Sequence, residues 1–144
     1  MKFLAAMLLG LLLVGCGAED SPDIRAQTAI DALRGQWVVI NYWARWCKPC
    51  VKEIPELNKL DQKHATVTVL GVNYDGATGD ELASQMTEFG VEFANLDADP
   101  AAHLGIPRPV VLPTTVILDP KGTVIQTLVG PQTLEALEAA TIGG

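Results

Sequence analysis

The chain has 144 residues, 49% of them hydrophobic, and a formal net charge of −7 at pH 7. That length suits one domain and leaves little room for two, and the apolar share is enough for a single buried core. An acidic chain with no basic cluster argues against a nucleic-acid partner.

The first fifteen residues read as a leader. Met1-Lys2 gives a positive start, and Phe3 to Val14 is an apolar run broken only by Gly10. Such a run is shorter than the about 20 residues a spanning helix needs, and it fits the apolar region of a secretory signal. It ends in Leu13-Val14-Gly15-Cys16, which resembles a bacterial lipobox. The resemblance implies cleavage before Cys16 and a lipid on Cys16. An ordinary cleaved signal peptide is the alternative. With one of three cysteines used as an anchor, one pair remains. The expected layout is a signal peptide over 1–15, a lipidated anchor and linker over 16–23, and a folded domain over 24–144. The lipid would tether that domain to a membrane surface.

Trp37 to Trp43, WVVINYW, reads as a buried central strand. From Cys47 to about His64, Val51, Ile54, Leu57 and Leu60 recur every three or four positions, one face of an amphipathic helix. Pro55 is predicted to kink it. Thr66 to Tyr74 is a second strand, and a β–α–β unit places it parallel to the first. Asp75 to Gly79 is turn-rich. Asp80 is expected to cap a helix running to Phe89 and closed by Gly90. A short strand follows over Phe93 to Leu96, then a short helix from Asp99 or Pro100 to near Gly105. Ile106-Pro-Arg-Pro109 is extended. Thr114 to Leu118 and Thr123 to Val129 are strands joined by a hairpin turn at Asp119-Pro-Lys-Gly122. A final helix is expected from Pro131 to about Ile142. This order predicts an α/β fold, with helices flanking a mixed central sheet.

Trp46-Cys47-Lys48-Pro49-Cys50 lies where a strand hands over to a helix. Cys47 at a helix N-terminus meets the dipole and free N–H groups, which favour a thiolate. Lys48 adds a nearby positive charge. Two intervening residues let Cys50 reach back and resolve a mixed disulfide on Cys47. A structural disulfide is a poorer reading, because closing so short a loop removes little chain entropy. A zinc site would draw on His64, but His103 is too far along the chain to complete the usual spacing. An inert buried pair is disfavoured by the strand-to-helix position.

The segment NYWARWCKPCVKEIPELNKL resembles the active-site region of thioredoxin-like proteins, specifically the membrane-anchored, extracytoplasmic thiol–disulfide proteins of the TlpA and ResA kind. LPTTVILDPKGTVIQTLVG resembles their second signature, in which the Pro before Thr-Thr is cis and faces the Cys pair; here it is Pro113. The resemblance implies a thioredoxin-like fold with an extra helix and strand inserted before the cis-Pro, supplied by Asp80 to Leu96. It implies that Cys47 and Cys50 are catalytic, that Leu112 and Pro113 dock an extended substrate segment, and that Trp46 and Lys48 contact partners. Two departures stand out. Thioredoxin carries a buried Asp in the strand before its active site, and Asn41 occupies that position here; Asn cannot accept the proton at ordinary pH. Some relatives use an acid after the second strand, which makes Asp75 a candidate proton acceptor, with a plain turn residue as the alternative. Second, Ile106 to Leu112 is longer than the corresponding approach to the cis-Pro.

The implied activity is a protein-disulfide reductase at the periplasmic face of a bacterial membrane. Its partners would be protein thiols and disulfides, with a membrane-associated thiol donor for re-reduction. No cofactor and no metal are expected. The alternatives are a disulfide oxidase or isomerase, or a lipid-anchored Cu(I)-binding module, which no Met-rich or His-rich stretch supports.

Overall fold

The computed structural model describes residues 21–143. The leader, Cys16 and the residues up to Asp20 lie outside the described residues.

The described chain opens on a helix that the sequence pattern does not announce, α1 (Pro22–Asp31). Ser21 caps it, its hydroxyl accepting from the Ile24 N–H at 3.3 Å, and Pro22 occupies the first turn. Residues 21–23, expected in the linker, are therefore the cap and first turn of this helix. The strands and helices that follow are β1 (Trp37–Trp43), α2 (Lys48–Lys63), β2 (Val67–Asn73), α3 (Gly79–Phe89), β3 (Ala94–Asn95), β4 (Thr114–Leu118), β5 (Val124–Val129) and α4 (Leu134–Ala140).

The sheet order is β3-β2-β1-β4-β5. β1 pairs in parallel with β2, and β2 with β3; β4 runs antiparallel to both β1 and β5. The buried central pair, β1 and β2, is joined through α2, as a β–α–β unit requires.

Alternation along β1 divides the core. Val39 and Trp43 point to one face, where they join Ile54, Leu57 and Leu60 of α2 and Leu137 of α4. Val38, Ile40 and Tyr42 point to the other, where Ala26 and Ile30 of α1 and Leu70 and Val72 of β2 meet them. On the first face Leu82, Met86 and Phe89 of α3 pack as well, Phe89 lying edge-on to Trp43 with ring centres 6.4 Å apart.

Three boundaries differ from expectation. α3 begins after Thr78, so Asp80 lies in its first turn and does not cap it. Residues 101–105 form turns, not the short helix expected from Asp99 or Pro100. The backbone there closes back on itself, the Ile106 N–H donating to the Ala101 carbonyl at 3.0 Å, and Gly105 turns into the left-handed region at φ 66°. The last helix is shorter than Pro131 to Ile142. Thr133 caps it, its hydroxyl accepting from the Ala136 N–H at 3.2 Å.

Candidate active site

β1 ends at Trp43, and the chain turns through Ala44, Arg45 and Trp46 into α2. Cys47 is the N-cap of α2, and its sulfur accepts from the Cys50 N–H at 3.3 Å. The two cysteines are joined as a disulfide with Cα atoms 5.3 Å apart. Both are covered in this oxidised form, Cys47 at 3% and Cys50 at 1% exposure. Exposure therefore does not separate them. What does is that Cys47 sits at the helix end, where its thiolate would meet unpaired N–H groups. Lys48 and Pro49 between them are exposed.

Trp46 is 63% exposed beside Cys47. Its indole N–H lies 3.1 and 3.0 Å from the two carboxylate oxygens of Asp75, and its ring stands edge-on to Tyr74. Asp75 is itself exposed, so the structure places it as a partner of Trp46 on the surface.

Leu112–Pro113 is a cis peptide bond. Pro113 is buried immediately before β4, and Leu112 packs against the cluster that contains both cysteines. The long approach to it is held by Arg108. The Arg108 guanidinium lies 3.7 Å from the centre of the Tyr74 ring, donates to the Tyr74 carbonyl at 2.6 Å and pairs with Asp99 at 2.7 Å. Tyr74 in turn donates its hydroxyl to the Pro109 carbonyl at 3.0 Å. The segment 106–111 thus stands clear of the sheet and encloses an apolar groove of about 360 Å³ with Thr114, Val116, Thr127 and Val129.

One residue the sequence reading passes over is Glu53. It lies one turn after Cys50 on the same face of α2 and is 1% exposed. Its Oε2 accepts from Asn41 Nδ2 at 2.9 Å; its Oε1 accepts from the Thr115 hydroxyl at 3.3 Å and the Gln132 N–H at 3.1 Å. Burial pushes its pKa up, and the bonds from Asn41, Gln132 and Thr115 pull partly against that. The signal was present: Cys50, Glu53, Ile54 and Leu57 share one helical stripe, which puts a carboxyl group among apolar neighbours. Asn41, at the position expected to lack a proton acceptor, is instead this carboxyl's donor.

His64 is the C-cap of α2 and lies 2.7 Å from Glu138. The helix separates it from the cysteines by roughly 24 Å at 1.5 Å per residue, so the two do not share a metal site. Among the described residues no three His, Cys, Asp or Glu side chains gather as a metal site, and no helix is long and apolar enough to cross a membrane.

A disulfide capping a helix at the end of a central strand, with a cis-Pro before an adjoining strand, defines a thioredoxin-like thiol–disulfide protein. The sequence profile of the AhpC/TSA family matches residues 19–127, and the chain belongs to that family. It is 32% identical over 108 residues to the thiol-disulfide oxidoreductase ResA of Bacillus anthracis, covering 74% of this chain and 62% of the relative. It is also 32% identical over 128 residues to the thiol:disulfide interchange protein HelX of Rhodobacter capsulatus, covering 83% of this chain and 71% of the relative. The chain thus spans somewhat less than two thirds of the ResA relative's length. Among solved structures, a candidate DsbE interchange protein from Chlorobium tepidum superposes with a TM-score of 0.64 at 27% identity, covering 77% of this chain and 81% of that one. A secreted thiol-disulfide isomerase from Corynebacterium glutamicum gives 0.67 at 26% identity, over 77% and 71%.

Proposed function

We propose that the chain is an extracytoplasmic protein-disulfide reductase. The observation that carries this reading is the Cys47–Cys50 pair at the N-terminus of α2 with the buried Glu53 one turn behind it. In the reduced protein the Cys47 thiolate attacks a partner disulfide, forming a mixed disulfide and releasing one partner thiolate. Cys50 then attacks the Cys47 sulfur, which releases the second partner thiol and closes the 47–50 bond. Cys50 must lose a proton for this step. Glu53 is the proton acceptor we favour over Asp75: it is buried on the Cys50 face of the helix, and its raised proton affinity brings it nearer that of a thiol. Asp75 instead holds the Trp46 indole. Trp46 and Lys48 flank the attacking sulfur on the surface, and the main chain at Leu112–Pro113 receives the extended substrate segment.

A membrane-associated thiol donor returns the disulfide to the dithiol. The lipobox resemblance at Cys16 supports attachment to the periplasmic face of a bacterial membrane, and the likeness to a secreted protein from Corynebacterium glutamicum supports the extracytoplasmic location. The test is a trap: Cys50→Ala expressed in a bacterial host should accumulate mixed disulfides through Cys47, released by dithiothreitol and abolished by Cys47→Ala. Trapped species that persist without Cys47 would overturn the assignment. The mass of the mature N-terminus from the same cells reads the lipid on Cys16; an unacylated start at Gly17 or later would remove the anchor.

A further inference from the structure

Asn41 is buried, with 1% exposure, on the face of β1 that meets α2. Its Nδ2 donates both to Glu53 Oε2 at 2.9 Å and to Thr115 Oγ1 at 3.0 Å. Its Oδ1 is fully buried and is the one buried side-chain polar atom without a hydrogen-bond partner among the described residues. Buried acceptors are rarely left unpaired, and one that is asks for an explanation.

The arrangement suits an ionised Glu53. Both carboxylate oxygens then accept, Oε1 from Thr115 and Gln132 and Oε2 from Asn41. Once the carboxyl takes a proton on Oε2, that oxygen becomes a donor and faces an NH2 group. Turning the Asn41 amide over exchanges Nδ2 with Oδ1. The carbonyl then accepts the Glu53 proton, and the NH2 takes the unpartnered position. Each protonation state therefore keeps the Glu53 bond; when the amide turns over, its donation to Thr115 Oγ1 is lost and the Thr115 hydroxyl can donate to Oδ1 in its place. An Asp at this position could not donate to the carboxylate, and an apolar residue could do neither.

The geometry points to Asn41 as a positioning residue that serves Glu53 in both protonation states, so that the carboxyl can take the Cys50 proton and later return it. This deepens the proposed reaction and rests on Glu53 being its proton acceptor. The step is a transfer from the Cys50 thiol to the Glu53 carboxylate as Cys50 attacks the mixed disulfide; the departing thiolate carries the electron pair of the broken S–S bond. The groups bonded to Glu53 from β1, β4 and the segment before α4 are Asn41, Thr115 and Gln132, all uncharged. On α2 the titratable groups within about two turns of Glu53 are Cys47, Lys48, Cys50, Lys52, Glu56 and Lys59; Lys48 and Lys52 are exposed, and Glu56 is engaged by Lys59 at 2.7 Å and the Leu134 N–H at 3.1 Å.

The test uses the reduced full chain and the symmetric disulfide of nitrothiobenzoate. Attack by Cys47 releases the first coloured thiolate, and attack by Cys50 on the resulting mixed disulfide releases the second. The rate of the second release is followed against pH. Asn41 bonds both states, but its charge-assisted bond to the carboxylate is the stronger; Asn41→Leu removes both, so the inflection should move up by about one pH unit. Asn41→Asp, of nearly the same shape, guards against misfolding and should also move it up, since two carboxyls would share one site. In a Glu53→Gln background Asn41→Leu should not shift the profile; Asn41→Asp is left out of that background, because the new carboxyl would itself titrate. In infrared spectra of the protonated state, the Glu53 carbonyl band, absent from Glu53→Gln, should move when Asn41 becomes Leu. If Glu53→Gln abolishes the inflection while both Asn41 variants leave it and the band in place, Asn41 is only packing. If Glu53→Gln leaves the inflection unchanged, the Glu53 assignment falls and the role of Asn41 falls with it.

Discussion

At Glu53 burial and hydrogen bonding act in opposite directions, and burial is the larger. A carboxyl whose folded pKa lies above its unfolded value binds more protons folded than unfolded between those two values, so stability falls as pH rises through that window. Its contribution is fully present below the ordinary carboxyl range and is lost above the raised folded value. Gln keeps the shape and has no proton to lose. We therefore expect the melting temperature of the wild type, relative to Glu53→Gln, to be lower at pH 8 than at pH 5. Thermal melts of both oxidised proteins at the two pH values check it; parallel curves would mean that Glu53 does not titrate there. At this scale the cysteines were legible, because spacing alone puts Cys47 at a helix end. Glu53 was passed over although its place on the Cys50–Ile54–Leu57 stripe marks it, because a single charge on an amphipathic helix is ordinarily assigned to solvent. Asp75 stands where the resemblance to relatives allows an acid, and its carboxylate turns outward to Trp46.

Elements with a strong period were legible nearly to the residue: β1, α2, β2 and the Asp119–Gly122 hairpin, where the Asp119 carboxylate accepts from the Lys121 and Thr123 N–H groups at 2.9 Å each. α1 escaped because only Ala26 and Ile30 of its ten residues are buried, too few to set a pattern, although Ser21-Pro22 is a cap signature. The 101–105 turns read as helix because a Pro followed by small residues imitates a first turn. β3 is short and depends on a contact that sequence cannot show. Gly71 on β2 faces Asn95, whose Oδ1 accepts from the Trp43 indole at 3.0 Å; a Cβ on Gly71 would come within 2.5 Å of that oxygen and 3.0 Å of the indole nitrogen. Gly71→Ala should therefore displace Asn95, break its bond to Trp43 and loosen β3, at a cost of about 1–3 kcal/mol. Urea titration gives the stability change, and faster amide exchange at Leu96, which donates to the Gly71 carbonyl at 2.8 Å, would locate it. Unchanged exchange there would mean the strand absorbs the methyl group.

For the molecule as a whole the proposed exchange raises the question of the direction in which electrons would move, and the surroundings of Cys47 bear on it. Strong oxidants of this kind have a greatly stabilised reduced form, with a potential near about −120 mV. Here the Cys47 sulfur accepts one bond, from the Cys50 N–H, and Pro49 has no N–H to add another. Lys48 is exposed, so solvent screens its charge. Arg45 is drawn off to Glu88 at 3.4 Å. The buried Glu53 one turn behind and a net charge of −7 both oppose a further negative charge at the site. These features favour the disulfide over the thiolate, so the dithiol form should be a good donor of electrons. We expect a potential below about −200 mV, nearer thioredoxin's about −270 mV. Equilibrating the full chain against dithiothreitol buffers and reading the dithiol fraction by alkylation measures it. A value above about −150 mV would favour a disulfide oxidase instead.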